Sequence, residues 1–199
     1  MYQSNPERPM NVAALAWERL TYGGPAMFPE QIAIYRHLAH CLRGQRVVDV
    51  GCGMGIGTNL LAYWGCHVVG VDVSEEALRV AQALYPDLTF LPWNITQGPI
   101  EPPVDAVVAV EILEHIDDVV SAIRHLLASG RTLYVSTPNR ACPRLGQKHP
   151  ENLFHVREYT PQEMLEFLGS ATIRDPFSWH EVGPESLMTP LVYEVSRGR

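Results

Sequence analysis

Short apolar runs alternate with amphipathic stretches along most of the chain. The apolar runs are continuous, which is typical of strands that are buried on both faces of a parallel sheet. They predict strands at "RVVDV" (46–50), "HVVGVDV" (67–73), "LTFL" (88–91), "DAVVAV" (105–110) and "RTLYVS" (131–136), and weaker strands near Thr172–Phe177 and Leu191–Ser196.

The stretches between these runs carry helix start and stop signals. Apolar residues at helical spacing predict helices over 29–42, 58–64 and 117–130. Ser74 is suited to cap a helix that follows the second strand, and Thr160, Pro161 and Glu163 form a capping box at the start of "PQEMLEFL". Helices and strands that alternate at this spacing imply an α/β fold with helices on both faces of the sheet.

Composition and charge narrow the class of protein. A chain of 199 residues with 46% hydrophobic and 19% charged residues is typical of one soluble domain. The net charge of -7 argues against a general nucleic-acid surface. The sequence shows no run of membrane-spanning length and no secretory signal, and its four cysteines form no CxxC pair. We therefore expect free thiols and a cytoplasmic location.

In open parallel sheets, ligands bind at the carboxyl ends of the strands. Gly51, Asp72, Trp93, Glu111 and Thr137 each follow a predicted strand. We expect these residues to line one crevice.

The segment "DVGCGMGIG" (49–57) would allow backbone to approach a ligand closely, because glycine has no Cβ. Asp72 lies at the end of the second strand, where a carboxylate can accept both hydroxyls of a ribose. The dinucleotide pattern G-x-G-x-x-G fails in both registers, at Ile56 and at Thr58, and the phosphate-binding lysine of nucleoside triphosphatases is absent. A bound ligand fits this loop better than an empty βα turn.

The segments "VVDVGCGMG" and "VVGVD", with the later "DAVVAVEILEHI" and "FHVREYTPQEM", resemble the class I S-adenosylmethionine-dependent methyltransferases. The resemblance covers roughly Arg46 to Phe167 and extends to the branch of ubiquinone-pathway O-methyltransferases. It implies a Rossmann-like seven-stranded sheet, mostly parallel, with an antiparallel last strand. It also implies that S-adenosylmethionine, or S-adenosylhomocysteine as the product, is bound by Asp49, Gly51, Cys52, Gly53, Gly55, Asp72, Val73, Trp93, Asn94 and Glu111. Within a single domain (1–199), residues 1–44 would form a helical lid over the sheet core (45–199).

Methyl transfer to a hydroxyl requires a general base or a metal ion, and "EILEH" (111–115) offers groups for either. Glu111, Glu114 and His115 would share one helical face if the helix began near Glu111. With His155 they form a pattern similar to that of the RNA 3′-end 2′-O-methyltransferases, whose metal is held by two glutamates and two histidines. That resemblance implies Mg²⁺, Mn²⁺ or Fe²⁺ at these four residues. Alternatively, His155 and His115 act as catalytic residues without metal, or the acids only stabilise a helix start.

The acceptor is less defined by the sequence. Arg140, Arg144, Lys148 and His149 in "TPNRACPRLGQKHP" (137–150) could bind an anionic small-molecule acceptor, or could simply be solvated. A small-molecule O-methyltransferase is the favoured hypothesis. The alternatives are a metal-dependent RNA-end methyltransferase, a protein that binds the cofactor without turnover, and, last, a nicotinamide oxidoreductase. The sequence does not indicate the oligomeric state.

Overall fold

A seven-stranded sheet organises the part of the chain that the computed structural model describes, residues 27–143 and 154–196. The strands are β1 (Arg46–Val50), β2 (His67–Asp72), β3 (Thr89–Pro92), β4 (Val104–Val110), β5 (Gly130–Thr137), β6 (Thr172–Arg174) and β7 (Leu191–Ser196). The α-helices are α1 (Pro29–Cys41), α2 (Ile56–Tyr63), α3 (Glu75–Leu84), α4 (Val119–Ser129) and α5 (Pro161–Leu168), and a 3₁₀ helix spans Leu113–His115.

The strand order is β3-β2-β1-β4-β5-β7-β6. Strands β1 to β5 are parallel to one another, whereas β7 pairs antiparallel with both β5 and β6. The order reverses between β1 and β4, where Val50 is in register with both Val71 and Ala109. The carboxyl ends of β1, β2 and β4 therefore lie side by side at the point where the strand order reverses. The predicted sheet, mostly parallel with an antiparallel last strand, is confirmed.

The two faces of the sheet are covered by different helices, as predicted. Val47 packs in a cluster with Leu38 of α1 and Leu61 of α2, whereas its neighbour Val48 packs in a cluster with Ile123 of α4. Successive strand residues point to opposite faces, so both sides of each central strand must be apolar. This two-sided burial explains why the strands appear as continuous apolar runs in the sequence.

The predicted helix starts differ from the observed ones in two places. Helix α2 begins at Ile56, two residues before the predicted start, because Gly55 takes a left-handed conformation (φ 82°) at its N-cap. Helix α4 begins at Val119, where the Asp118 carboxylate accepts a hydrogen bond from the Ser121 N–H. Both predicted caps are confirmed: the Ser74 side chain accepts from Ala77, and the Thr160 capping box is complete.

Residues 1–26 of the predicted lid, and the loop residues Arg144, Lys148 and His149, lie outside the described residues. The division into a lid and a core stays a prediction. None of the helices in the two described ranges has both the length and the apolar character needed to cross a lipid bilayer.

Candidate functional site

A groove opens at the carboxyl ends of β1, β2 and β4, at the point where the strand order reverses. It encloses about 630 Å³, counting the space at its open mouth. We call it the strand-end groove. It is lined by Val50, Gly51, Asp72, Val73, Ser74, Ala77, Trp93, Asn94, Ile95, Thr96, Ile112, His115 and Ile116. Gly51, Asp72 and Trp93 thus meet at one groove, as the sequence predicted. Glu111 and Thr137 are not among its lining residues, although Ile112, which follows Glu111, is one of them.

The glycine loop owes its shape to close contacts that a larger residue would prevent. Gly51 has a φ of +70°, and a Cβ at this position would lie 2.3 Å from Cγ2 of Ile112. Gly55 has a φ of +82°, and a Cβ there would lie 2.7 Å from the Phe90 ring. Cys52 is buried, and its N–H donates to the Val71 carbonyl at 3.1 Å. The glycines therefore allow the loop to pack against Ile112, which follows β4, and against Phe90 of β3, and Gly51 is the loop residue that lines the groove.

Two backbone N–H groups hold the Asp72 carboxylate. Its Oδ2 accepts from the Gly53 N–H at 2.8 Å, and its Oδ1 accepts from the Ser74 N–H at 2.9 Å. An ionised carboxylate has about four lone-pair sites, so each of its oxygens can accept more than one hydrogen bond. Asp72 is 6% exposed and lines the groove. This arrangement fits a ligand with two adjacent hydroxyls, such as a ribose.

Asp49, another predicted cofactor residue, is fully buried. Its Oδ1 accepts from the Tyr35 hydroxyl at 2.7 Å, and its Oδ2 accepts from the Thr58 hydroxyl at 2.6 Å. The Tyr35 ring also occupies the space that a Cβ at Gly57 would need. Asp49 therefore connects α1 and α2 beneath the glycine loop.

Trp93 and Asn94 lie at the end of the groove formed after β3. The Trp93 side chain is 39% exposed, and its ring N–H donates to the Gly98 carbonyl at 3.4 Å. The Asn94 Oδ1 accepts from the N–H and the hydroxyl of Thr96, at 3.0 and 2.8 Å. The Asn94 oxygen therefore stabilises the turn after β3, while the indole offers an apolar surface to a planar ligand.

The predicted placement of Glu111 on a helix with Glu114 and His115 is wrong. Glu111 has a φ of 55°, a left-handed conformation, and the 3₁₀ helix begins only at Leu113. Its Oε1 accepts from the Ser136 hydroxyl at 2.8 Å. Burial raises the pKa of the Glu111 carboxyl to about 7; the nearby Glu158 carboxylate adds to the increase, and the Ser136 hydrogen bond opposes it.

Three of the four predicted metal ligands do converge. The ligand atoms of Glu114, His115 and His155 all lie within 4.8 Å of one another, and we call these residues the acid–imidazole cluster. Glu114 is 1% exposed, and its Oε2 accepts from the Thr137 hydroxyl at 3.1 Å. The two imidazole rings are nearly perpendicular, with centroids 4.9 Å apart.

Both imidazoles are oriented through Nδ1. The Nδ1 of His115 lies 3.1 Å from the Phe154 carbonyl, and the Nδ1 of His155 lies 2.9 Å from Oε1 of Glu158. A carbonyl and a carboxylate only accept hydrogen bonds, so each Nδ1 carries the proton. In the neutral rings, Nε2 is then the nitrogen that can take up a proton or bind a metal.

The acid–imidazole cluster fits a small divalent cation. Ligands around an ion at ~2.1 Å lie roughly 3 to 4 Å apart, so a separation within 4.8 Å needs only a small contraction. Mixed carboxylate and imidazole donors suit Mn²⁺ or Fe²⁺ as well as Mg²⁺. Glu111 lies outside this group, so its role as a fourth ligand stays a prediction.

Arg140, which the sequence placed near the acceptor, is engaged inside the protein. It donates to the Glu163 carboxylate at 2.7 Å and to the Glu158 carbonyl at 3.1 Å. Tyr35, Ser136 and Glu158 each hydrogen-bond a predicted site residue, and none of the three was predicted from the sequence. Only Glu158 had a local signal, because it follows His155 by three residues.

The chain is similar to known proteins over most of its length. A family model described as a methyltransferase domain matches residues 28–176. A probable S-adenosylmethionine-dependent methyltransferase from Mycolicibacterium smegmatis is 34% identical over 148 residues, which are 72% of this chain and 58% of that protein. A ubiquinone biosynthesis O-methyltransferase from Xylella fastidiosa is 37% identical over 108 residues, 50% of this chain and 44% of that protein. The chain thus spans about half the length of these curated relatives.

The fold also matches a solved structure. A S-adenosylmethionine-dependent methyltransferase from Clostridium acetobutylicum superposes with a TM-score of 0.69, covering 95% of this chain and 99% of that one, at 14% sequence identity. This likeness supports the fold, whereas the family match rests on the sequence over most of the chain. The chain belongs to the class I S-adenosylmethionine-dependent methyltransferase family.

Proposed function

We propose that this protein binds S-adenosylmethionine in the strand-end groove and transfers its methyl group to a hydroxyl of a small-molecule acceptor. The observation that carries the proposal is the position of His115, which lines the groove and also belongs to the acid–imidazole cluster. Groups able to remove a proton from an acceptor thus border the space proposed for the methyl donor. The described cysteines are free thiols, consistent with action in the reducing cytoplasm.

The proposed cofactor pose places each part of the cofactor beside groove residues of matching polarity. The ribose hydroxyls would donate to Asp72, and the adenine would pack near Trp93, Asn94 and Ile95. The methionine portion would lie along the backbone of the glycine loop, at Gly51, Cys52, Gly53 and Gly55. Asp49 would support this loop from below through Tyr35 and Thr58, rather than by a direct contact.

The sulfonium is an activated donor, so the protein must chiefly align the acceptor and exclude water. A hydroxyl acceptor must also lose its proton. The Nε2 atoms of His115 and His155 would take it, since each ring is held through its Nδ1. Alternatively, Mg²⁺ or Mn²⁺ held by Glu114, His115 and His155 would lower the pKa of the acceptor hydroxyl.

A metal-dependent RNA-end methyltransferase is the second candidate, because the same cluster would serve it. The internal engagement of Arg140 does not favour it, since that guanidinium already binds Glu163. An anionic small-molecule acceptor loses support from the same residue. Labelled methyl transfer to small RNAs, set beside a panel of phenols, catechols and sugars, distinguishes the two candidates.

The cofactor proposal is tested by calorimetry with S-adenosylhomocysteine. Hydrogen bonds to a charged group contribute about 1.5–3 kcal/mol each, so Asp72→Ala should bind at least ~10-fold more weakly. Asp105→Ala is the matched control, because Asp105 is a strand carboxylate paired with Arg46 and is not among the groove-lining residues. Equal affinity for Asp72→Ala and the wild-type protein would contradict the proposed pose.

The chemistry is tested with EDTA, His155→Ala and Glu114→Ala. A metal-assisted reaction should stop on chelation and return with Mn²⁺, and both substitutions should abolish the response to Mn²⁺. A base-only reaction should survive chelation and be lost in His155→Ala. Tight binding of S-adenosylhomocysteine without methyl transfer to any acceptor tested would instead support a binding protein without turnover.

A further inference from the structure

Glu158 is a buried acid outside the strand-end groove that contacts His155. Its residue is 3% exposed, and its Oε1 lies 2.9 Å from the Nδ1 of His155. A carboxylate is costly to bury unless it is paired. An apolar residue would pack more favourably at such a position. The presence of Glu158 there therefore indicates that its polar contacts have a role.

The backbone around this pair is held from two directions. The N–H groups of Val156 and Arg157 donate to the Glu114 carbonyl at 2.7 and 3.2 Å. On the other side, Arg140 donates to the Glu158 carbonyl, and the Arg140 N–H donates to the Tyr159 carbonyl at 3.0 Å. The backbone that carries Glu158 is therefore held beside Glu114, the residue that shares a cluster with His155.

We infer that Glu158 is a positioning residue that holds His155 as the Nδ1–H tautomer and directs its Nε2 into the acid–imidazole cluster. The inference deepens the proposed function and rests on it for its catalytic meaning. A carboxylate that accepts from the outer nitrogen of a histidine fixes the tautomer and ring orientation, whether the other nitrogen acts as a base or binds a metal. His115 obtains the same orientation from a backbone carbonyl, which no substitution can remove.

The test reads the tautomer directly and needs no acceptor. Long-range proton–nitrogen NMR spectra of the ¹⁵N-labelled, metal-free protein are recorded at about pH 8.5, above the ordinary histidine pKa of ~6.5. His155→Gln identifies the His155 signals. In the wild-type protein, Nδ1 should carry the proton and Nε2 should not. In Glu158→Ala, the two nitrogen shifts should move toward each other as both tautomers become populated.

The controls separate positioning from general structural damage. His125, whose Nδ1 lies 2.6 Å from the Ile95 carbonyl, should keep its signals in every variant. Glu158→Met retains the side-chain length and serves if the alanine variant does not fold. A proton on Nε2 of wild-type His155, or an unchanged tautomer in the Glu158 variants, would overturn the inference.

The proposed function is assessed separately on the same samples. Wild-type and Glu158→Ala should bind S-adenosylhomocysteine within about twofold of each other, since Glu158 does not line the groove. Failure of the wild-type protein to bind it would defeat the proposed function, while the NMR result would still decide whether Glu158 sets the tautomer.

Discussion

The strand-end groove and the acid–imidazole cluster meet at His115 but are built in different ways. In the groove, the shape comes from glycines and from backbone N–H groups that hold Asp72. In the cluster, side chains from a short 3₁₀ helix meet His155, which is forty positions further along the chain than His115. The groove therefore depends on local backbone conformation, whereas the cluster depends on long-range contacts that fix each side chain. Substitutions in the groove should therefore act through backbone conformation, whereas substitutions in the cluster should act through lost long-range contacts.

The largest effect is expected at the glycine loop. Gly51→Ala combines left-handed strain of ~1–2 kcal/mol with overlap against Ile112 of ~1–3 kcal/mol, because its Cβ would lie 2.3 Å from that side chain. Gly44→Ala is the matched control: it has a similar φ of +77° but nothing within 4 Å. Urea denaturation should show the larger loss of unfolding free energy for Gly51→Ala. Equal losses would mean that strain alone explains the loop.

The second-largest effect is expected at Glu111, which lies beside the acid–imidazole cluster. This effect depends on pH. The unfolded carboxyl ionises near pH 4.5, but the folded one keeps its proton until about pH 7. Because the unfolded protein releases this proton more readily, a rise in pH through this window lowers the free energy of unfolding, by on the order of 3 kcal/mol in total. The unfolding free energy of the wild-type protein, relative to Glu111→Gln, should fall between these pH values. Parallel pH profiles for the two proteins would show that Glu111 is not perturbed.

Tyr35→Phe tests whether the groove is also supported from below. The substitution removes the donor to the buried Oδ1 of Asp49, and a buried acceptor that loses its donor costs ~1–3 kcal/mol. Tyr134→Phe is the control, because its hydroxyl bond to Glu194 is longer, at 3.4 Å. Thermal and urea unfolding should rank Tyr35→Phe as the less stable variant. The reverse order would show that the hydrogen bond from Tyr35 to Asp49 does not stabilise the loop.

The smallest effect is expected at Glu163, which anchors the segment that carries His155. Burial alone would raise the pKa of this carboxyl, but hydrogen bonds from the Thr160 backbone, Arg157 and Arg140 lower it to about 2. Glu163→Gln should lose ~1 kcal/mol of unfolding free energy at neutral pH. The lowered pKa means that this stabilisation is complete above pH 4.5 and disappears as the pH falls toward 2.

Glu166→Gln, an exposed position on the same helix, is the matched control for Glu163 and should leave the unfolding free energy nearly unchanged. A pH-independent loss in Glu163→Gln would point to lost packing instead of lost charge.

Much of the fold could be predicted because its signals are local. Continuous apolar runs located the first five strands, and weaker patterns near 172–177 and 191–196 located the last two. The capping residues Ser74 and Thr160 marked two helix starts. The groove followed from the rule that parallel strands expose ligand sites at their carboxyl ends. Gly51 and Asp72 could therefore be placed together without any knowledge of their contacts.

The cluster could be predicted only in part, because its geometry depends on backbone irregularity and distant partners. Helical spacing suggested that Glu111 joins Glu114, but the left-handed conformation of Glu111 turns the chain before the 3₁₀ helix begins. No periodicity encodes the Ser136 bond that fixes Glu111 or the Glu163 bond that engages Arg140. Tyr35 appeared as an ordinary apolar helix position, since its hydroxyl partner is in another element.

The contact between Gly51 and Ile112 links the two regions mechanically. Ile112 immediately follows the left-handed Glu111 and fits into the notch left by the missing Cβ of Gly51. A change in the bulk of Ile112 would therefore shift the glycine loop and the acid–imidazole cluster together. Variants that probe either region alone should keep this isoleucine and change other positions around the mouth of the groove.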